Sequence, residues 1–155
     1  MEPWIIERWS EIEPPYSLLL LADETIDAIN KYIFQSETYV LKLVATNEYI
    51  GVFAIKETNP QELEIKNIAV VESFRGHGLG REMVIYVKKL AKLRNYSQLT
   101  VGTSDTGYGQ LRFYKQNGFV QTGVKSNFFI ENYQEPIIEN GKQMRDMIML
   151  TYQWE

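Results

Sequence analysis

Ile68-Ala69-Val70-Val71-Glu72-Ser73-Phe74-Arg75-Gly76-His77-Gly78-Leu79-Gly80 is the stretch on which the reading of this chain turns. Its first part is apolar and rich in β-branched residues, as a buried strand requires. Its last part places glycine at 76, 78 and 80, and an amphipathic run follows at once. Leu79, Met83, Tyr86, Val87, Leu90 and Ala91 recur at spacings of three and four, which predicts a helix with one apolar face. A glycine-rich link from strand to helix can be no more than a helix-initiating turn. It can also hold an anion, because glycine lets backbone approach a ligand and a helix start carries unpaired N–H groups and partial positive charge. Arg75 and Arg81 bracket the glycines and add charge-assisted donors. The combination points to a phosphate socket.

Two common phosphate motifs do not fit it. A P-loop needs a lysine directly after its last glycine, and Gly80 is followed by Arg81 and Glu82. The dinucleotide fingerprint needs Gly-x-Gly-x-x-Gly, and the spacing here is two and two.

Working outward, strand-like segments occupy residues 4–9, 38–45, 49–56, 62–71, 99–101, 119–124 and 144–154. Thr46-Asn47-Glu48 and Asn140-Gly141 supply hairpin turns, the second leading into the final strand. Helical patterns fall at 16–22, at 23–35 with Ile26, Ile29, Ile33 and Phe34 on one face, and at 107–117, closed by Gly118. The fold class is therefore mixed α/β (α+β).

A length of 155 residues suits one domain, 1–155, with one core. The absence of Cys excludes disulfides, thiol nucleophiles and cysteine zinc sites, and a single histidine, His77, excludes a histidine-rich centre. No metal is expected. The net charge of −4 is unevenly spread: residues 1–74 carry 13 acids against 5 bases, whereas 75–115 carry 8 bases against 2 acids. An acidic chain with one basic segment suits a compact anion and repels a polyphosphate, so no nucleic-acid partner is expected. The N-terminus is acidic and the longest apolar run, 18–22, is too short for a membrane span. No membrane partner and a cytoplasmic location are expected.

The segment 68–80 resembles the acetyl-CoA motif of the GNAT superfamily of N-acetyltransferases, with Glu72 where that family often has proline. Phe113-Tyr114-Lys115-Gln116-Asn117-Gly118-Phe119 resembles the family's tyrosine helix followed by Gly-Phe, in the right order along the chain. The resemblance is strong over about half of the chain. It implies a mixed, mostly antiparallel sheet, splayed in its middle, with helices on both faces and acetyl-CoA as co-substrate. It implies that backbone of Ile68, Ala69 and Val70 pairs with the pantetheine arm. Arg75, Gly76, His77, Gly78, Leu79, Gly80 and Arg81 would hold the pyrophosphate, with the His77 ring turned outward.

The resemblance further implies that Tyr114 protonates or steadies the departing thiolate; otherwise it is a core aromatic. A glutamate near Glu64 acts as base in some members of the family, directly or through water. Here Glu64 lies on the strand before the loop, with Glu62 on the same face. Asp105 is either a helix N-cap or, where the family often has asparagine, a contact to the pantetheine arm. Phe128, Phe129, Glu131, Tyr133 and Glu135 form an aromatic-acidic cluster that is either core and solvated charge or a wall for a cationic amine. Asp146, in an apolar final strand, needs a partner. The expected reaction is direct attack by a small cationic amine, or a protein lysine, on acetyl-CoA in a ternary complex. A non-catalytic acyl-CoA sensor is the alternative, and a homodimer is expected if the long final strand pairs across two copies.

Overall fold

The structure, a computed structural model, describes residues 1–154. Seven strands form one sheet in the order β1-β2-β3-β4-β5-β9-β6. They are β1 Trp4–Arg8, β2 Glu37–Leu43, β3 Tyr49–Asn59, β4 Glu62–Val70, β5 Gln98–Ser104, β6 Val120–Lys125 and β9 Met147–Gln153. Two short strands, β7 Ile138–Glu139 and β8 Lys142–Gln143, make a separate hairpin. All neighbours in the main sheet are antiparallel except β4 and β5. The helices are α1 Tyr16–Leu19, α2 Ile26–Asn30, α3 Leu79–Leu93, α4 Tyr108–Gln116 and α5 Phe128–Asn132.

Both faces of the sheet are covered, by different helices. On one face Leu79, Met83, Val84, Val87 and Ala91 of α3 pack with Tyr114 of α4 on Leu41, Phe53, Ile55, Leu63, Ile65, Leu99 and Leu150. On the other, Leu18, Leu19, Ile29, Tyr32 and Ile33 cover Val40, Val52 and Ala54. Strand β4 serves both faces through a bulge: Ile55 pairs Ile65 while Ala54 pairs Asn67, leaving Lys66 as the extra residue. An inserted residue switches the parity of a strand. This is why Leu63 and Ile65 share the α3 face with Ile68 and Val70, and why the strand reads as alternating at its start and apolar at its end.

Several expectations need correction. Ile26 and Phe34 are exposed, because the segment forms a five-residue α2 and a separate 3-10 turn at Ile33–Gln35 instead of one continuous helix. The Asn140-Gly141 turn joins β7 to β8, and β9 begins only at Met147. Strand β9 lies between β5 and β6, so both of its edges are already paired and its length gives no ground for a dimer. Among the described residues no helix is long and apolar enough to cross a membrane.

Phe119, 1% exposed, ties the end of α4 to the sheet, with Tyr114 edge-on at 5.4 Å and Tyr152 tilted at 5.9 Å. Phe119→Ala should cost about 3–5 kcal/mol. Calorimetry should show the melting midpoint falling by on the order of 10 °C, and a drop within error would mean the cluster is not central to the core.

Candidate active site

The parallel pair β4–β5 is short. It runs from Glu62 opposite Gln98 to Ile65 opposite Val101, and there the strands part. Beyond the fork β4 continues to Val70 beside β3, and β5 continues to Ser104 beside β9. A cleft of about 870 Å³ opens between the two arms. Residues 65–70 form one wall and Val101, Gly102, Thr103 and Ser104 the other, with Gly80 and Met83 of α3 and Phe113 and Tyr114 of α4 closing the α3 side. The edge of β4 at Ile68, Ala69 and Val70 has no strand partner on the β5 side, so an extended amide-bearing chain could pair along it, although the Val70 carbonyl already accepts from Arg75 Nε.

The glycine loop stands at the end of that edge. Gly76 and Gly78 have φ of 82° and 76°, a left-handed backbone that favours glycine, and Gly78 is the N-cap of α3. The first intrahelical bond runs from the Glu82 N–H to the Gly78 carbonyl, so the N–H groups of Leu79, Gly80 and Arg81 lie in the unpaired first turn. Arg75 is held in place by its Nε, which donates to the Val70 carbonyl at 3.0 Å, and its side chain lines the cleft. His77 and Arg81 are exposed, whereas the Leu79 side chain is buried in the core, leaving its N–H as the group it can offer.

Tyr114 is 4% exposed and lines the cleft. Phe113 and Phe119 meet its ring edge-on at 5.1 and 5.4 Å. Burial pushes its phenol well above the ordinary range, so the hydroxyl keeps its proton at any physiological pH.

Glu64 is placed differently. The residue is 9% exposed, its carboxylate lies 3.2 Å from Lys66 Nζ and 3.5 Å from Thr58 Oγ1, and it does not itself line the cleft; Lys66 does. Asp105 lies outside the cleft wall as well. Its Oδ1 accepts from the Arg145 N–H at 3.1 Å, and the N-cap of α4 is Gly107 with no side-chain cap, so the N-cap expectation for Asp105 is corrected. Asp146 finds its partner in the Asn127 N–H at 2.8 Å.

The far side of the cleft is acidic and was not legible as a unit. Leu20, Leu21, Ala22, Asp23 and Glu24 meet Phe129, Tyr133 and Glu139 there. Both Asp23 oxygens are used: Oδ1 accepts from Tyr133 and the Glu24 N–H, and Oδ2 from Tyr32. One Glu139 oxygen accepts from Ser104 Oγ at 2.6 Å and Thr106 Oγ1 at 2.9 Å. Burial, then the neighbouring charges of Asp23 and Glu139, raise the Glu24 carboxyl above its usual value. Of the aromatic-acidic cluster, Phe129 and Tyr133 face the cleft, stacked at 5.8 Å, while Glu131 and Glu135 are exposed. Among the described residues no group of three or more His, Asp or Glu side chains is arranged to hold a metal ion.

Residues 2–119 match the family model described as Acetyltransferase (GNAT) family. The chain is 38% identical over 135 residues to the "Uncharacterized N-acetyltransferase YvbK" of Bacillus subtilis (strain 168), spanning 87% of this chain and 86% of that protein. Among solved structures, a GNAT family acetyltransferase from Elizabethkingia anophelis with acetyl-CoA bound superposes with a TM-score of 0.91 at 39% identity, over 97% of this chain and 98% of that one. An "IAA acetyltransferase" from Bacillus cereus ATCC 14579 gives a TM-score of 0.90 at 38% identity, over 98% of this chain and 100% of that one.

Proposed function

Because the chain belongs to the acetyltransferase (GNAT) family, and so is an N-acetyltransferase using acetyl-CoA as co-substrate, we propose that it transfers acetyl to a primary amine on a cationic acceptor. One observation carries the choice of acceptor. The cleft has a cationic socket at one end, Arg75 and the start of α3, and carboxylates at the other, Glu24 and Glu139, beside the stacked rings of Phe129 and Tyr133. Opposite charges at the two ends suit an anionic carrier and a cationic partner that meet between them.

The steps follow from the residues. The pantetheine arm adds to the free edge at Ile68, Ala69 and Val70, and Gly76, His77, Gly78, Leu79, Gly80 and Arg81 take the pyrophosphate. The thioester then lies at the fork, beside Tyr114. The amine lone pair attacks the thioester carbon, a C–N bond forms, and the C–S bond breaks. The proton lost by the amine passes to a water in the cleft; Glu64, paired with Lys66 and outside the cleft lining, could take it only through that water. Tyr114 keeps its proton and donates an O–H hydrogen bond to the leaving thiolate, which takes its own proton from solvent. Rate comes from positioning and from a donor that needs no reorganisation.

The test is thiol release from acetyl-CoA with a panel of putrescine, n-butylamine, benzylamine, tobramycin and taurine. Cationic acceptors should exceed taurine by about 10-fold or more in kcat/KM, the worth of one charge-assisted hydrogen bond. Equal rates would remove the argument from charge. A pH titration adds a sign. Protonated Glu24 is neutral, so KM for putrescine should rise as pH falls through a range above that of an ordinary carboxylate, and Glu24→Gln should flatten that rise. A KM indifferent to pH down to that of ordinary carboxylates would count against Glu24 as an acceptor contact.

A further inference from the structure

The two loops that flank the acceptor end ride on opposite arms of the fork. Residues 20–24 are fixed to the β4 arm, where Asn67 Nδ2 donates to the Leu19 carbonyl and to the Tyr32 hydroxyl, both at 3.0 Å, and Tyr32 donates to Asp23. The segment from Asn127 to Asp146 is fixed to the β5 arm. Ser104 and Thr106 hold Glu139, Asn140 Nδ2 donates to the Thr106 carbonyl at 2.8 Å, and the Arg145 N–H donates to Asp105.

Two contacts cross from one arm's loop to the other. The Tyr133 hydroxyl donates to Asp23 Oδ1 at 2.6 Å, and Lys31 Nζ reaches the Asn132 carbonyl and Oδ1 at 3.5 and 3.4 Å. The first is the stronger, being short and made to a carboxylate already held by two other donors. It joins chain segments that the diverging strands would otherwise leave apart.

We propose that the Tyr133–Asp23 bond is a bar across the acceptor end of the cleft that selects slender, unbranched amines and excludes bulky ones, including lysines on folded proteins. The inference rests on the acetyl-transfer reading above and narrows its acceptor class. A lysine on a folded surface arrives with backbone on both sides and needs an open trough. An amine on a single alkyl chain can pass beside the bar and reach the fork. Selection here works by exclusion, with the carboxylates providing attraction and the bar providing rejection. Tyr133 contributes through Asp23 and through the stacked Phe129, so it is a positioning residue.

The experiment compares slender acceptors (putrescine, n-butylamine, benzylamine) with bulky cationic ones (tobramycin, and folded lysozyme for its surface lysines), following thiol release. Wild type should favour the best slender acceptor over the best bulky one by on the order of 100-fold in kcat/KM. Tyr133→Phe keeps the ring stack and removes only the crossing hydrogen bond. It should raise the bulky-to-slender ratio by about 5- to 10-fold, with KM for acetyl-CoA unchanged. Equal use of both sets by wild type overturns the proposal without any variant. An unchanged ratio in Tyr133→Phe also overturns it. Failure to acetylate any amine would instead overturn the acetyl-transfer reading from which it starts.

Discussion

Replacing Tyr114 by phenylalanine is expected to lower kcat by about 100- to 1,000-fold, the usual worth of one positioned donor aimed at developing negative charge. The ring sits in an edge-on cluster with Phe113 and Phe119 that a phenyl group fills equally well. Stability and KM for acetyl-CoA should therefore stay near wild type. The raised phenol sharpens the prediction. A thiolate leaving group has a proton affinity set by a pKa of about 8.5, below that of even an ordinary tyrosine at about 10. Full transfer of the proton is uphill, so in the proposed mechanism Tyr114 would act by donating a strong hydrogen bond as charge builds on sulfur. Acceptors whose chemistry is slowest should suffer most. The alkaline limb of the wild-type rate should show no titration near pH 10 from this group, because it remains protonated there. A Tyr114→Phe enzyme with kcat within threefold of wild type would show that the sulfur leaves without help from this side chain.

The second large effect is expected at Gly78. Its φ of 76° makes it the left-handed N-cap that turns the chain from the loop into α3. A β-branched residue there is strained by about 1–2 kcal/mol or more. No atom lies within 4 Å of where a Cβ would sit, so the free protein can house the valine of Gly78→Val. If the loop holds a pyrophosphate, that phosphate would have to approach the backbone N–H groups past the added side chain. Tilting the first turn of α3 also misaims the N–H groups of Leu79, Gly80 and Arg81, each a charge-assisted donor worth about 1.5–3 kcal/mol. The affinity for acetyl-CoA, measured by calorimetry, should fall by on the order of 100- to 1,000-fold while α3 remains folded by circular dichroism. Undiminished affinity would mean that the loop does not hold the phosphates.

The two halves of the site were unequally legible. The loop at 75–81 and the tyrosine helix could be read because each is local: glycine spacing, an apolar stripe and a Gly-Phe ending all lie within a few residues. The acceptor end could not. Asp23 and Tyr133, 110 residues apart in sequence, are joined by a hydrogen bond that no spacing announces, and Glu24 and Glu139 line the same cleft. Tyr133 was noticed only as part of an aromatic cluster, whose acidic members Glu131 and Glu135 turn out to be exposed. Asp105 misled because its residue type fits a helix cap and its neighbourhood fits a ligand contact. A backbone N–H from Arg145 claims it.

By itself the chain's order of residues determined most of the strands and the glycine-rich turn between β4 and α3. These rest on backbone conformation and local periodicity, which each short segment carries within it. Only the tertiary structure decided where β4 and β5 part, that an inserted Lys66 changes the facing of β4, and which carboxylates meet across the gap. Those depend on pairing partners and on loops that pack from distant parts of the chain, and a side chain's neighbours there are set by the whole sheet.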